Sequence, residues 1–195
     1  MQAYWTRWEK WMQKHAPKLP DTLNPGVAPA TVDALERLIG SKLPADFKSF
    51  YAIHNGQQRV KTGLVDADQL LPVEDMITQW HHWKNVLDSG GFIYNEEIIA
   101  STPDTGIKSD WWNPLWIPIT SDGFGNHLCI DLDPAPEGQY GQIITVWHED
   151  SHRGILAPSF EAWMHQYITA IEKGEYVFVK KWGIVHKDTF LNYND

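Results

Sequence analysis

Apolar residues along this chain fall into two rhythms, helical in its first half and near its end, strand-like between. Residues 4–15 place Trp5, Trp8 and Met12 on one helical face. Pro17, Pro20, Pro25 and Pro29 follow and predict an extended linker. A second helix is predicted over 31–39, with Leu35, Leu38 and Ile39 inward, Thr31 as N-cap and Gly40 as its stop. Pro44 opens a third at its first position, carried by Phe47, Phe50, Tyr51 and His54 to Asn55-Gly56, where a left-handed C-cap is expected. Over 72–87 the stripe Val73, Met76, Ile77, Trp80, Trp83 and Leu87 predicts a longer helix ended by Gly90-Gly91, with Glu74 and Asp75 favourable in its first turn.

The rhythm then changes. Short strands are expected at 63–65 and 92–99, and a loop at 102–113 carrying Trp111 and Trp112. Three firmer strands are predicted at 115–119, 127–132 and 143–147, the first at an edge because Pro118 cannot donate to a ladder. Ser159 caps a last helix whose inward face is Phe160, Trp163, Met164, Tyr167, Ile168 and Ile171, and Gly174 ends it. Residues 175–180 read as a final strand or a docked tail. Helices first, strands in the middle and a closing helix predict α+β: a single domain with a central, mostly antiparallel sheet flanked by helices.

Composition narrows the class. At 43% hydrophobic residues an ordinary core is expected. No apolar run approaches the ~18–20 residues that cross a bilayer, and the aromatic, charged start lacks a secretory apolar core. Cys129 is the lone cysteine, so neither a disulfide framework nor a cysteine zinc cluster is expected. A soluble, cytoplasmic protein with no membrane partner is predicted. The formal charge, 16 − 25 = −9, repels phosphate backbones and steers basic partners toward the surface. Lys173, Lys180, Lys181 and Lys187 are too scattered for a nucleic-acid stripe, so nucleic-acid binding is disfavoured.

Several motifs suggest chemistry, and each meets an obstacle. His148-Glu149-Asp150-Ser151-His152 matches H-E-x-x-H, which binds zinc when a helix sets both histidines on one face. Here it follows a strand, with no helical apolar stripe through it. His127, Asp131 and Asp133 alternate onto one strand face, yet His127 and Asp131 would lie ~13 Å apart, too far to share an ion. Asp131 and Asp133 read more simply as polar strand or turn residues. Gly123-Phe124-Gly125 precedes a strand rather than the helix a dinucleotide site needs, and Asp122-Gly123 reads as a hairpin turn. Of eleven tryptophans, only Trp111, Trp112 and Trp182 are expected at the surface, too few for a sugar platform. No nucleophile elbow is present, and Cys129 reads as an inert buried thiol.

Three blocks together resemble the SUKH superfamily, which unites fungal Smi–Knr cell-wall regulators with many bacterial immunity proteins. The first is Leu43-Pro44-Ala45-Asp46-Phe47 through Asn55-Gly56; the second is Trp116-Ile117-Pro118-Ile119, Asp122 to Asn126, and Leu128 to Asp133; the third is Gly141-Gln142-Ile143-Ile144 with Trp147-His148 and Ser159-Phe160. Order and spacing are similar to the bacterial branch, over about residues 25–175. Phe124 between the two turn glycines is a local departure. Around that domain stand an N-terminal helix and linker, 1–24, and a C-terminal extension, 176–195.

The resemblance implies an α+β domain that acts by binding proteins, with Leu43, Pro44, Asn55, Gly56, Trp116, Pro118, Gly123, Gly125, Asp131 and Gly141 building the fold. The expectation is a non-enzymatic immunity protein that neutralises a cognate bacterial toxin, a basic effector such as a nuclease suiting the −9 charge. Its expected partner face comprises Trp111, Trp112, Asp122, Asp131, Asp133, Glu149 and Asp150. A cell-wall-related regulatory scaffold is the first alternative; a metal-dependent hydrolase using His148, Glu149 and His152 is the second. No catalytic residue, metal or cofactor is assigned, and the oligomeric state stays open.

Overall fold

The computed structural model describes residues 1–192; the end of the 176–195 extension, residues 193–195, lies outside the described residues. Its helices are α1 (Gln2–His15), α2 (Pro29–Ile39), α3 (Ala45–Tyr51), α4 (Val73–Asp88), α5 (Phe160–Glu172) and α6 (Lys187–Asn192), with a 3-10 turn at Pro20–Thr22. The strands are β1 (Gln69–Leu70), β2 (Ile93–Tyr94), β3 (Glu97–Ile98), β4 (Thr102–Pro103), β5 (Trp116–Pro118), β6 (Thr120–Ser121), β7 (His127–Asp131), β8 (Gln142–Val146), β9 (His152–Arg153), β10 (Ile155–Ala157), β11 (Tyr176–Val179) and β12 (Gly183–His186). No described helix is long and apolar enough to cross a membrane.

The centre is an antiparallel sheet in the order β10-β8-β7-β5. β5 takes the edge, as Pro118 requires, and pairs Trp116 with Asp131 and Pro118 with Cys129. Every residue of β8 is buried, which explains why Ile143 and Ile144 sit side by side in sequence instead of alternating with exposed positions. Smaller two-stranded pairs surround this sheet: β1 with β6, β2 with β3, β11 with β12, and β4 parallel to β9. The fold is α+β, with the helices packed around the sheet.

Aromatic stacking joins α1 to the core. Trp5 stacks on Phe50 at 4.4 Å and donates its indole N–H to the Phe50 carbonyl, so a partner meets its polar edge. On the outside, Arg7 grips Glu172 of α5 with two nitrogens, at 3.0 and 2.6 Å. At the other end of the chain, Ile184 and Val185 of β12 are fully buried.

Several elements differ from expectation, each for a physical reason. α2 begins at Pro29 with Ala28 as N-cap, so Thr31 is already inside it; proline's preset φ suits the first turn. Pro44 is the N-cap of α3 and not its first residue. That helix stops at Tyr51, so Asn55 does not cap it. Instead the Asn55 side chain accepts from the Val73 N–H and donates to Glu74, capping α4 from eighteen residues away. Residues 92–99 form the hairpin β2–β3 in place of one strand, turning through Asn95 and Glu96 at positive φ. The 63–65 segment makes only isolated bridges. β12 has no counterpart in the pattern reading.

The three motif blocks converge in space. Gly141 has φ +85°, and a Cβ there would come within 2.8 Å of Pro44, so the first and third blocks touch where a larger residue would not fit. Tyr140 beside it donates its hydroxyl to the Lys42 carbonyl. Glu36 anchors the same corner. It is buried, accepts from Lys42, Lys48 and the Leu43 N–H, and these hydrogen bonds outweigh its burial to hold its pKa at about 2.

Candidate functional site

The region expected to carry function lies on the turns linking β6 to β7 and β8 to β9. Asp122 builds the first of these. Its carboxylate accepts the N–H groups of Phe124, at 2.7 Å, and Asn126, at 3.1 Å, and the Asn126 side-chain amide at 2.6 Å. Asn126 then passes the bracing on, its Oδ1 accepting the His148 N–H at 3.1 Å. Phe124, between the two turn glycines, is 81% exposed at the tip.

The H-E-x-x-H residues leave β8, round a turn and enter β9, so the helical geometry that would join the two histidines is absent. His148 lies 3.5 Å from the well-exposed Glu149. His152 points to Asp104 at 3.3 Å. Asp104 also accepts the Ile155 N–H, which is the main reason its pKa is lowered, the His152 contact adding to it. Asp150 caps its own turn by accepting from the His152 N–H. Among the described residues no group of three or more histidine, cysteine or acidic side chains is placed to hold a metal ion.

The expected partner face divides between surface and interior. Asp131 is fully buried, where it accepts from the Asp133 N–H at 2.9 Å and the Gln142 amide at 2.8 Å. Burial is the main cause of its raised pKa, with those hydrogen bonds opposing it. Trp112 is 3% exposed, which corrects its expected place at the surface. Both belong to the interior because the 104–113 loop folds back over the sheet, a long-range closure that local pattern does not encode. Trp111 is half-buried beneath Arg153, whose guanidinium carbon lies 5.2 Å from its ring. Asp133 is paired with Lys108 at 2.6 Å and accepts from Asn113. Asp122, Asp133, Glu149 and Asp150 do reach solvent.

Arg153 itself is completely buried. It donates to the carbonyls of Asp150, His152 and Trp111, so one cation ties its own turn to the 104–113 loop. His127 is locked in a similar way. Trp83 donates to its Nε2 at 3.0 Å, and its Nδ1 lies 2.8 Å from the Thr120 carbonyl, which fixes the neutral Nδ1–H tautomer. Burial lowers its pKa in the same direction. Cys129 is buried mid-strand, and burial raises its thiol pKa out of the reactive range.

Two of the surface concavities bear on binding. A smaller one, about 470 Å³, lies between α4 and the Asp122 turn, lined by His82, Trp83, Phe124 and His148. A larger one, about 650 Å³, is lined by other elements and lies between α1 and β11. Lys10, Trp11, Lys14, Tyr176, Phe178 and Lys187 line this second groove, giving it a basic, aromatic character in an acidic protein. Scattered C-terminal lysines gave no hint of it. The available signal was Lys10 and Lys14, four apart on the outer face of the first predicted helix.

Residues 26–166 match the SMI1 / KNR4 family (SUKH-1). The chain is 29% identical to a glucan synthesis regulatory protein of Neurospora crassa, over 83% of this chain and 36% of that protein. It is 28% identical to the cell wall biosynthesis/cell cycle regulator smi1 of Schizosaccharomyces pombe, over 89% of this chain and 36% of that one. With the cell wall assembly regulator SMI1 of Saccharomyces cerevisiae the figures are 23%, 90% and 41%. The chain therefore spans well under half the length of these relatives. All three are fungal regulators, which overturns the expectation of a toxin-neutralising immunity protein and of a cognate toxin as its partner. By a match that takes in all three motif blocks, the chain belongs to the SMI1 / KNR4 family.

Proposed function

We propose that this chain is a non-catalytic, protein-binding regulatory module of cell-wall synthesis, acting from the cytoplasm. The observation that carries this reading is the extent of likeness: 83–90% of the chain aligns with proteins named for regulating glucan synthesis or cell-wall assembly. The geometry supports it. Side chains that looked chemical in sequence serve structure, since His127 is held neutral, Arg153 ties loops together, and His152 answers Asp104. A module of this kind works by presenting a rigid surface to other proteins.

A segment exchange tests the reading. This chain replaces the matched segment of the Saccharomyces cerevisiae regulator in cells lacking the native copy. Restored growth on a chitin- or glucan-binding dye is expected. A chimera that accumulates to the native level and folds, yet leaves cells as sensitive as the deletion, would refute the proposal.

A further inference from the structure

The β11–β12 hairpin has one covered edge and one open edge. Glu175 accepts from the Lys187 N–H at 2.9 Å and Val179 from the Trp182 N–H at 3.0 Å, so alternate residues of β11, including Val177, turn their backbone groups toward β12. β12 confirms the phase from its other side. The Ile184 N–H donates to the Gly63 carbonyl at 3.0 Å, and its carbonyl accepts from the Ala67 N–H at 2.8 Å. Ile184 therefore faces the 63–67 turn, and its cross-strand neighbour Phe178 faces away from β12, as does Tyr176. No described strand pairs with that outer side of β11.

The open side gives onto the larger groove. Across it α1 presents Lys10 and Lys14, both exposed, while Trp11 stacks on His15 at 4.8 Å; Lys187 closes one end. Arg7 is committed to Glu172, whose carboxylate also feels the charge of Lys10, but Lys10, Lys14 and Lys187 form no ion pair among the described residues. In a chain of charge −9 these cations form a local field of opposite sign, 650 Å³ in volume and walled by aromatic rings. Only a polypeptide offers the alternating N–H and C=O groups that a strand edge takes up; a nucleic acid matches the charge but not the edge.

We propose that this groove binds an extended acidic peptide, which adds as a strand to the open edge of β11 at Tyr176 and Phe178 while its carboxylates meet Lys10, Lys14 and Lys187. Alternate apolar side chains of the peptide pack on Trp11 and the rings of Tyr176 and Phe178. The inference rests on the reading of the chain as a protein-binding module and names the chemistry of its partner.

Fluorescence anisotropy tests it with labelled peptides alternating Asp or Glu with Val or Phe. Controls are the same peptides with Lys for each acid, and oligo-dT. The acidic panel is expected to bind, with affinity falling as salt rises and about tenfold in K10E/K14E. Phe178→Pro removes an outward N–H without touching the ladder to β12, and is expected to abolish binding. Circular dichroism and thermal melting establish that each variant folds; if the proline variant does not, K10E/K14E decides. No binding by the acidic panel, unchanged affinity in K10E/K14E, or preferential binding of oligo-dT would each overturn the proposal. These outcomes separate from the segment exchange: rescue without groove binding sinks only the peptide site, and groove binding without rescue sinks only the cell-wall role.

Discussion

The turns around Asp122 and Arg153 and the groove between α1 and β11 are opposites in how their polar groups are used. In the turns, carboxylates cap backbone amides and a buried guanidinium takes three carbonyls. In the groove, lysines and strand amides stand without such partners among the described residues. A polar group satisfied within its own fold has little left to offer a ligand; one left to water can exchange water for a partner at small cost. Density of aspartate and histidine in sequence is thus a poor guide to a binding surface, and unsatisfied geometry is a better one.

The sharpest way to break this contrast is Arg153→Met. If the guanidinium ties the loops together, its loss leaves the Asp150, His152 and Trp111 carbonyls without their donor, empties a fully buried site, and lowers unfolding free energy by about 3 kcal/mol or more in urea titration. A loss under about 1 kcal/mol would show that the loops hold without it.

Asp68 provides the next test, because it lies near the Asp122 turn yet lacks strong partners. Its pKa is raised to about 7, first by burial and then by Asp122 and Asp66, with only a long Thr120 contact opposing. A carboxyl raised above its unfolded value of 3.8 contributes stability that is fully present below that pH and is lost as pH rises through about 7. Stability attributable to this group should therefore fall between about pH 4 and about pH 7. Comparing urea midpoints across that range, Asp68→Asn should flatten the decline; an identical pH profile in both proteins would remove Asp68 from the account.

A milder effect is expected at the turn itself. Asp122→Ala removes the acceptor for two backbone amides and one side-chain amide, at an expected ~1–2 kcal/mol. K10E/K14E should be the smallest of all for folding, within about 0.5 kcal/mol of the parent, since neither lysine has an ion pair to lose among the described residues. A clearly destabilised double variant would mean that the groove is structural.

What could be read from sequence followed the range of the interactions involved. Helix α4 was legible because Val73, Met76, Trp80 and Trp83 bury one face whatever packs on it. The edge place of β5 followed from the missing N–H of Pro118 alone. Asn55 was misread because its partner is Val73, and no local rule tells a cap for the preceding helix from one for the next. β12 escaped because its run is short, and beyond its local pairing with β11 it is held by hydrogen bonds to Gly63 and Ala67, more than a hundred residues earlier. The groove was hidden for the same reason: Lys10 and Phe178 become neighbours only when α1 packs on α5. Family and fold were therefore accessible from motif blocks, while the role drawn from the bacterial branch was not.

Backbone amide exchange with and without a bound acidic peptide tests the central contrast most directly. The amides of Tyr176 and Phe178 should exchange more slowly in the complex, with the 122–126 and 148–153 turns unchanged. Protection confined to those turns, with Tyr176 and Phe178 exchanging as in the unbound protein, would contradict the account.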